Sequence, residues 1–397
     1  MLMRGVFVVG SCVFALATAS CAAIFGFERL SEGPLEEPDG ASMTDATLTV
    51  DAGPDPRCTG TGYLARPSLE AGGDHEVIGA LRRLDFGIAV AGGAPTPGGY
   101  NLDRTCTSSI ATSSCAFDAG SPVPTDLANG IDNAGFSLFT TLSRYSTTFD
   151  TNTINQGILE GRYGAVIRIQ EWNGLPDDDA VFVEVFPALG VVNSGSDDGG
   201  VAFDSNDNWG IDARFRLYPA SEYSMNFTSK AYVAGGQLVA PFDRVLKLGV
   251  LLSQDPKPLD AVLSDAVITG QLVTDDDAGS SFLAGGIIAG RWNTASFLDQ
   301  VRRIYVRNGN DIVRSTVCDE ADAGRKLYDV VKTFTCAGLD VHTDQTGDNQ
   351  GLPCDAISVA AKIDGYRVNA KGTWMTYPSY DDRCIDSGIP AGDDCPR

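Results

Sequence analysis

Histidine is nearly missing from this chain: His75 and His342 are the two in 397 residues. A Ser-His-Asp triad would have to recruit one of them, and neither lies in a recognisable catalytic motif. His75 sits between Asp74 and Glu76 as a solvated loop histidine, and His342 lies in the polar run Asp340-Val341-His342-Thr343-Asp344. The sequence also lacks a G-x-S-x-G elbow, a P-loop and a G-x-G-x-x-G turn, which removes the usual hydrolase, nucleotide and dinucleotide signatures. It has no Cys-x-x-Cys, so its 10 cysteines do not read as a zinc site. Positive charge is scarce. Against 29 basic residues stand 52 acidic ones, a net charge of -23. Such a surface repels phosphate backbones and anionic lipid alike, so nucleic acid is excluded as a partner. Charged residues make up only 20%, and Lys and Glu, the strong helix formers, are few, whereas Gly is frequent at 45. That balance predicts a mainly β fold with many turns.

What is present begins at the N-terminus. Residues 1–4 carry one positive charge, residues 5–19 are uncharged and apolar, and Thr18-Ala19-Ser20 lead into Cys21. This is the layout of a secretion signal ending at a lipoprotein site, with Cys21 as the lipid anchor. Two other readings stand beside it: cleavage after Ala19 by an ordinary signal peptidase, or an uncut apolar span over 5–27. Cysteine parity favours the first. Cys12 leaves with the signal and Cys21 takes lipid, so Cys58, Cys106, Cys115, Cys318, Cys336, Cys354, Cys384 and Cys395 remain, an even set suited to disulfides in an exported protein. Short loops close most cheaply, so Cys106–Cys115 and Cys384–Cys395 are the expected pairs.

The chain therefore divides into a signal peptide at 1–20, an acidic, proline-containing tether at 21–57, a β domain at 58–317 and a disulfide-rich segment at 318–397 packed on it. The tether has little to bury and spans about 30 Å or more as a coil. Within the β domain a first strand is expected at 86–91. Ala165, Ile167 and Ile169 alternate with Val166, Arg168 and Gln170, and Val181, Val183 and Val185 alternate with Phe182, Glu184 and Phe186. That is a hairpin with a polar turn between. Further strands are expected near 213–218, 229–233, 237–241, 245–252, 261–273, 281–289, 355–363 and 366–374. Short helices are expected after Asp132-Asn133, from Thr153 to Gly161, after Asn293-Thr294, and over Leu327, Val330, Val331 and Phe334. Many strands parted by turn clusters predict an antiparallel β-sandwich of the jelly-roll or concanavalin-like kind with a few short helices.

Three constellations qualify as sites. Asp204, Asn206, Asn208 and Asp212 place hard oxygens at alternate positions, as calcium loops do, although Trp209 and Phe215 stand where such a loop needs glycine and a bidentate Glu. Calcium is thus the one candidate cofactor, with an Asx-rich turn as the competing structural explanation. Glu171 and Glu184, on paired strands, are the carboxylate pair that a two-carboxylate glycan hydrolase would use; the E-x-D-x-x-E strand signature of sandwich glycanases is missing. Trp172, Trp209 and Trp292 lie beside turns, where aromatic rings stack on sugars, or they are simply core.

The start Cys21…Ile24-Phe25-Gly26-Phe27-Glu28-Arg29-Leu30 and the tether motif Asp51-Ala52-Gly53-Pro54-Asp55-Pro56 resemble those of myxobacterial cell-envelope lipoproteins. So do Asn101-Leu102-Asp103 ahead of Cys106, Asn129-Gly130-Ile131-Asp132-Asn133, Asn173-Gly174 before Asp177-Asp178, and Gly290-Arg291-Trp292. The resemblance implies a Cys-containing, β-rich extracellular domain at the outer membrane or cell surface. It brings no activity and no catalytic residue. The expected function is a surface-anchored, non-catalytic binding or adhesion module, with the membrane reached through the lipid and a glycan or envelope protein as partner. A glycan hydrolase and a purely structural envelope protein are the alternatives.

Overall fold

The chain divides into two units, Met1–Gly53 and Pro54–Arg397. The computed structural model describes residues of the second: 62–68, 72–88, 95–117, 123–144, 150–193, 201–203, 206–250, 259–273, 281–302, 305–308, 311–316, 318, 326–368, 372–376, 389 and 392–395. The expected signal, Cys21 and the tether lie outside the described residues, as do Cys58, Cys384 and Asp204.

The strand hairpin read from alternation forms as expected. Strand β2 (Gly164–Trp172) pairs antiparallel with β3 (Asp178–Asn193), with Arg168 opposite Glu184 and Ile167 opposite Val185. Ile167, Ile169, Val183 and Val185 are buried in the main core, each worth roughly 1.5–3 kcal/mol when fully buried. The other strands are β1 (His75–Asp85), β4 (Asn208–Asp212), β5 (Asn226–Ala234), β6 (Gln237–Pro241), β7 (Leu246–Val250), β8 (Leu259–Leu272), β9 (Ser281–Asn293), a separate hairpin of β10 (Tyr305–Asn308) and β11 (Asp311–Thr316), β12 (Ala356–Arg367) and β13 (Thr373–Met375).

The expected sandwich is overturned by the pairing. Each long strand bonds to the next one along the chain, β1 to β2 to β3 to β5 to β6 to β8 to β9 to β12, and β12 bonds back to β1. The result is a closed barrel of 8 antiparallel strands with extra strands on its rim, not two stacked sheets. A period of two marks one buried face in either architecture, so the alternation read from the sequence is satisfied by both; only the β12–β1 and β3–β5 ladders close the sheet. Closure leaves no exposed edge within those 8 strands. Gly235 and Gly236, both at positive φ (57° and 79°), make the two-residue turn between β5 and β6. Inside the wall, Phe282 sits against Gly79 of β1 and Gly365 of β12, where an added Cβ would stand 2.0 and 2.1 Å from its ring.

The barrel is solid. Its inward residues form one apolar core with side chains from α1 (Ala134–Leu142), α2 (Thr151–Leu159), α3 (Thr294–Val301) and α4 (Leu327–Ala337), including Phe139, Ile158, Phe297 and Tyr328. A void of about 40 Å³ remains, lined by Phe86, Phe139, Ile288 and Trp292 among others. An apolar interior is the reverse of the polar lumen of outer-membrane barrels. Two smaller clusters cover parts of the outer wall, one around Trp209, Phe186 and Tyr366, the other around Tyr100, Tyr232 and Val239. Among the described residues no helix is long and apolar enough to cross a membrane.

The segment beyond residue 318 is part of the barrel and not a unit packed on it, because β12 lies between β1 and β9. The expected short disulfides give way to long ones. Cys115 pairs with Cys354, 239 residues away, and Cys336 with Cys395. Cys106 and Cys318 are also in disulfides. Loop entropy favours near neighbours in an unfolded chain, but the folded barrel holds these distant segments side by side.

Candidate functional site

The residues singled out in the sequence are placed as follows. Glu184 is fully buried on the outer face of β3, its carboxylate held by Arg168 Nε at 2.7 Å and by Arg168 Nη2, and by the Ser224 backbone N–H at 2.9 Å. Glu171 is exposed at positive φ (63°), three residues beyond Arg168 on β2. The two glutamates do not converge, and Glu184 is committed to an ion pair. Asn208 and Asp212 open and close β4, so an extended strand holds them about 13 Å apart. Asp212 is buried against Arg214, with Nε–Oδ2 at 2.9 Å, and Asn206 is exposed in a turn. These residues do not surround one ion. Pairing with β3 and β13 makes a strand where the Asx pattern suggested a loop. Trp172, Trp209 and Trp292 are all buried, at 5%, 0% and 3% exposure, so none offers a ring for stacking on a sugar. Trp292 packs edge-on against Phe297.

A different set of side chains does converge, on the outer wall where β9 and β12 lie side by side. Ser358 of β12 is in register with Arg291 of β9, and both point outward and are fully buried. Ser358 Oγ accepts from the Ala134 N–H at the start of α1. Its N–H donates to Asp340 Oδ1 at 2.8 Å, and its hydroxyl donates to Asp340 Oδ2. Asn133 caps α1, accepting from the Phe136 N–H at 3.0 Å, and donates to Gly98 O at 2.7 Å. This fixes the loop that follows. There Asp132 Oδ2 accepts the N–H groups of Leu102 (2.5 Å) and Asp103 (3.0 Å), Asp103 Oδ1 accepts that of Thr105 (2.8 Å), and Asp126 Oδ2 accepts that of Thr107 (2.6 Å). Arg291 donates to Leu102 O, to His342 O and, in a two-pronged pair, to Asp348 at 2.7 and 2.5 Å.

The carboxyls of Asp103, Asp126 and Asp132 are in contact, with Asp132 in the middle. Burial favours their neutral forms, and mutual repulsion adds to that. Asp126 is raised to about 7 by burial, which the Thr107 N–H opposes and the Asp103 charge reinforces. Asp340 is raised to about 7 by burial in spite of its Ser358 bonds. Asp132 is raised well above the usual carboxylate range, first by burial and then by Asp103, Asp340 and Asp126. Asp103 is also raised by burial, against the pull of Ser114, Thr105 and Arg291. Burial lifts Asp348 to about 6 even beside Arg291.

Asp126 and Asp340 open onto a cleft of about 390 Å³ between α1, α4 and residues 123–127. Its walls include Leu127, Leu138 and Phe334, and Thr125, Ser137 and Thr141 supply hydroxyls. A cleft of this volume with perturbed acids at its floor is the usual form of a ligand site. Asp126 carries no motif in the sequence. Asp132 was legible only as a neighbour of the Asn133 cap, and Asp340 only as a flank of His342. Among the described residues no three acidic, histidine or cysteine side chains form a ready metal-ligand set. No family model matches this chain, and neither a curated protein nor a solved structure matches it.

Proposed function

We propose that this chain is an exported lipoprotein, anchored through Cys21 at the outer membrane or cell surface, whose barrel is a non-catalytic binding module for a neutral glycan. The ligand lies in the cleft between α1 and α4. The observation that carries this reading is the composition of that cleft: hydroxyls of Thr125, Ser137 and Thr141, two carboxyls drawn toward neutrality, and an aromatic wall at Phe334. A sugar ring offers hydroxyls at its rim and an apolar face, and this lining meets both. Hydrolysis by a carboxyl pair needs one acid ionised while the other keeps its proton. Burial pushes both Asp126 and Asp340 up, toward carboxyls that hold their protons and can donate hydrogen bonds to a sugar hydroxyl. The apolar barrel interior suits a domain held in water by a tether, as the sequence anticipates.

The test is a screen of the full mature chain in detergent against neutral oligosaccharides, followed by titration. Ala337→Trp, which fills the cleft from the exposed side of α4, is expected to weaken the best ligand at least tenfold with an unchanged circular dichroism spectrum. A screen without saturable binding, or a ligand bound equally by the variant, refutes the assignment.

A further inference from the structure

We propose that residues 123–127, one wall of the cleft between α1 and α4, form a lip latched by a proton shared between the Asp126 and Asp132 carboxyls, so that this wall is fastened in acid and released in alkali. The latch belongs to the protein without a ligand and does not depend on a glycan entering the cleft.

The first ground is how the lip is held. All five of its residues line the cleft. At one end Leu127 donates its N–H to Ile131 O at 2.9 Å, and its carbonyl accepts from the Gly130 N–H at 3.1 Å, in a tight turn with Asn129 and Gly130 at positive φ. Ahead of that turn Asp126 is the fastening. Its N–H donates to Thr107 O at 3.0 Å, its Oδ2 accepts from the Thr107 N–H at 2.6 Å, and its carboxyl is hydrogen-bonded to that of Asp132. Val123, Pro124 and Thr125 make no hydrogen bond to another described residue.

The second ground is a proton count. Ionised carboxylates are acceptors only, so a hydrogen bond between two carboxyls contains a proton. Asp132 makes two such bonds, to Asp103 and to Asp126. Asp103 and Asp132 are each 2% exposed and braced by the N–H groups of Leu102, Asp103 and Thr105. Asp126 is half-buried and opens onto the cleft, so its proton is the one in reach of water. Burial and the Asp103 charge raise it to about 7, where small changes of pH exchange that proton.

The third ground is what faces Asp126. The 101–107 loop brings Asp103, the residue ahead of the α1 cap is Asp132, and the segment before β12 brings Asp340. Arg291 of β9 acts on Asp103 and is bonded to Asp348. Among the described residues, α1 and α4 give the cleft lining no ionisable group, and that lining holds no Lys, Arg or His. Once the shared proton leaves, two carboxylates in contact repel with no cation between them. Asp132 is enclosed, so Asp126 turns to water, and its bonds to Thr107 break with it.

Amide hydrogen exchange of the full mature chain at pH 6 and pH 8.5, corrected for the intrinsic rates, tests the latch without any ligand. The amides of Thr107 and residue 126 are expected to lose protection by about tenfold more than those of the β2–β3 hairpin, which report on the barrel as a whole. Asp126→Asn carries its own donor toward Asp132 and its own acceptor for Thr107, and is expected to stay fastened at both pH values. Asp126→Ala is expected to be unfastened at both. Asp132→Asn, which also supplies a donor at every pH, repeats the first comparison if Asp126→Asn folds poorly. A wild-type lip that loses no more protection than the hairpin, or an Asp126→Asn lip that keeps the wild-type loss, overturns the proposal. A failed glycan screen leaves this measurement as it stands.

Discussion

Glu184→Gln is the sharpest probe of what the barrel wall requires. The substitution keeps size and shape and removes one charge. In the folded protein Arg168 then keeps a guanidinium that is 10% exposed, stacked between Phe186 and Tyr223 at 5.4 and 5.5 Å, with its carboxylate partner neutralised. Breaking a buried pair from one side costs about 3–5 kcal/mol. The exposed Glu76, 4.0 Å from Arg168, offers partial compensation, which places the expectation near the lower end, about 3 kcal/mol. Replacing both partners, as Arg168→Met with Glu184→Leu, removes the stranded charge and is expected to destabilise less than Glu184→Gln alone. Urea unfolding of the wild type, Arg168→Met, Glu184→Leu and the double variant, with Glu184→Gln beside them, followed by Trp fluorescence, measures each term, and a constant m-value shows that the shift lies in stability. A Glu184→Gln loss below about 1 kcal/mol, or strictly additive effects, would refute the account of a load shared by the pair.

Two further outcomes follow from charge and from the anchor. Asp126 and Asp340 have folded values of about 7 and Asp348 of about 6, all above the roughly 4 of an unfolded chain, so the folded state keeps protons that the unfolded state has released. Their contribution to stability is complete below about pH 4 and is lost as pH rises to about 7. For the buried Asp340, a rise from 3.8 to about 7 corresponds to on the order of 4 kcal/mol. Unfolding in chelator between pH 4 and 7.5 is expected to show falling stability, flattened in Asp340→Asn; a rising profile contradicts the reading. At the N-terminus, Cys21→Ser is expected to move the protein to the soluble fraction and abolish acyl labelling, and labelling that persists rules out Cys21 as the lipid site.

The parts of the fold legible in the sequence were those decided locally. The β2–β3 hairpin follows from its alternation, β6 coincides with the strand expected at 237–241, and α1 and α3 follow from the caps Asn133 and Asn293, whose side chains accept from Phe136 and Ser296. What failed was decided at a distance. Strand β1 was not anticipated, because a register shift between Leu81 and Arg83 breaks its alternation. The strand expected at 86–91 is irregular at Phe86–Ile88, and 89–91 lie outside the described residues. The expected 213–218 strand is a short 3-10 turn, Ala213–Phe215, capped by Asp212. Residues 355–374, expected as two strands, make one long strand, β12, and the three-residue β13. Barrel closure left no mark in any single segment.

The acidic cluster shows why such a site escapes a reading of the chain. Each of its members has a local task that looks sufficient by itself. Asp103 turns the backbone back to Thr105, Asp126 holds Thr107, Asp132 holds Leu102 and Asp103, and Asp340 holds Ser358. Asx turns of this kind are common and imply no ligand. Yet each of these contacts to Asp103, Asp126 and Asp132 uses one carboxylate oxygen and leaves the other to be accounted for. The barrel wall then brings the four segments together, and Cys115–Cys354 locks two of the loops over them. Four locally sensible turns thereby become a collective electrostatic cost that none of the turns offsets. A fold that needed only the turns could have used Asn or Ser at these positions, which cap loops without the charge. Burial favours the neutral form of each of these carboxyls, so the chemistry to look for at this wall is that of the protons the aspartates retain.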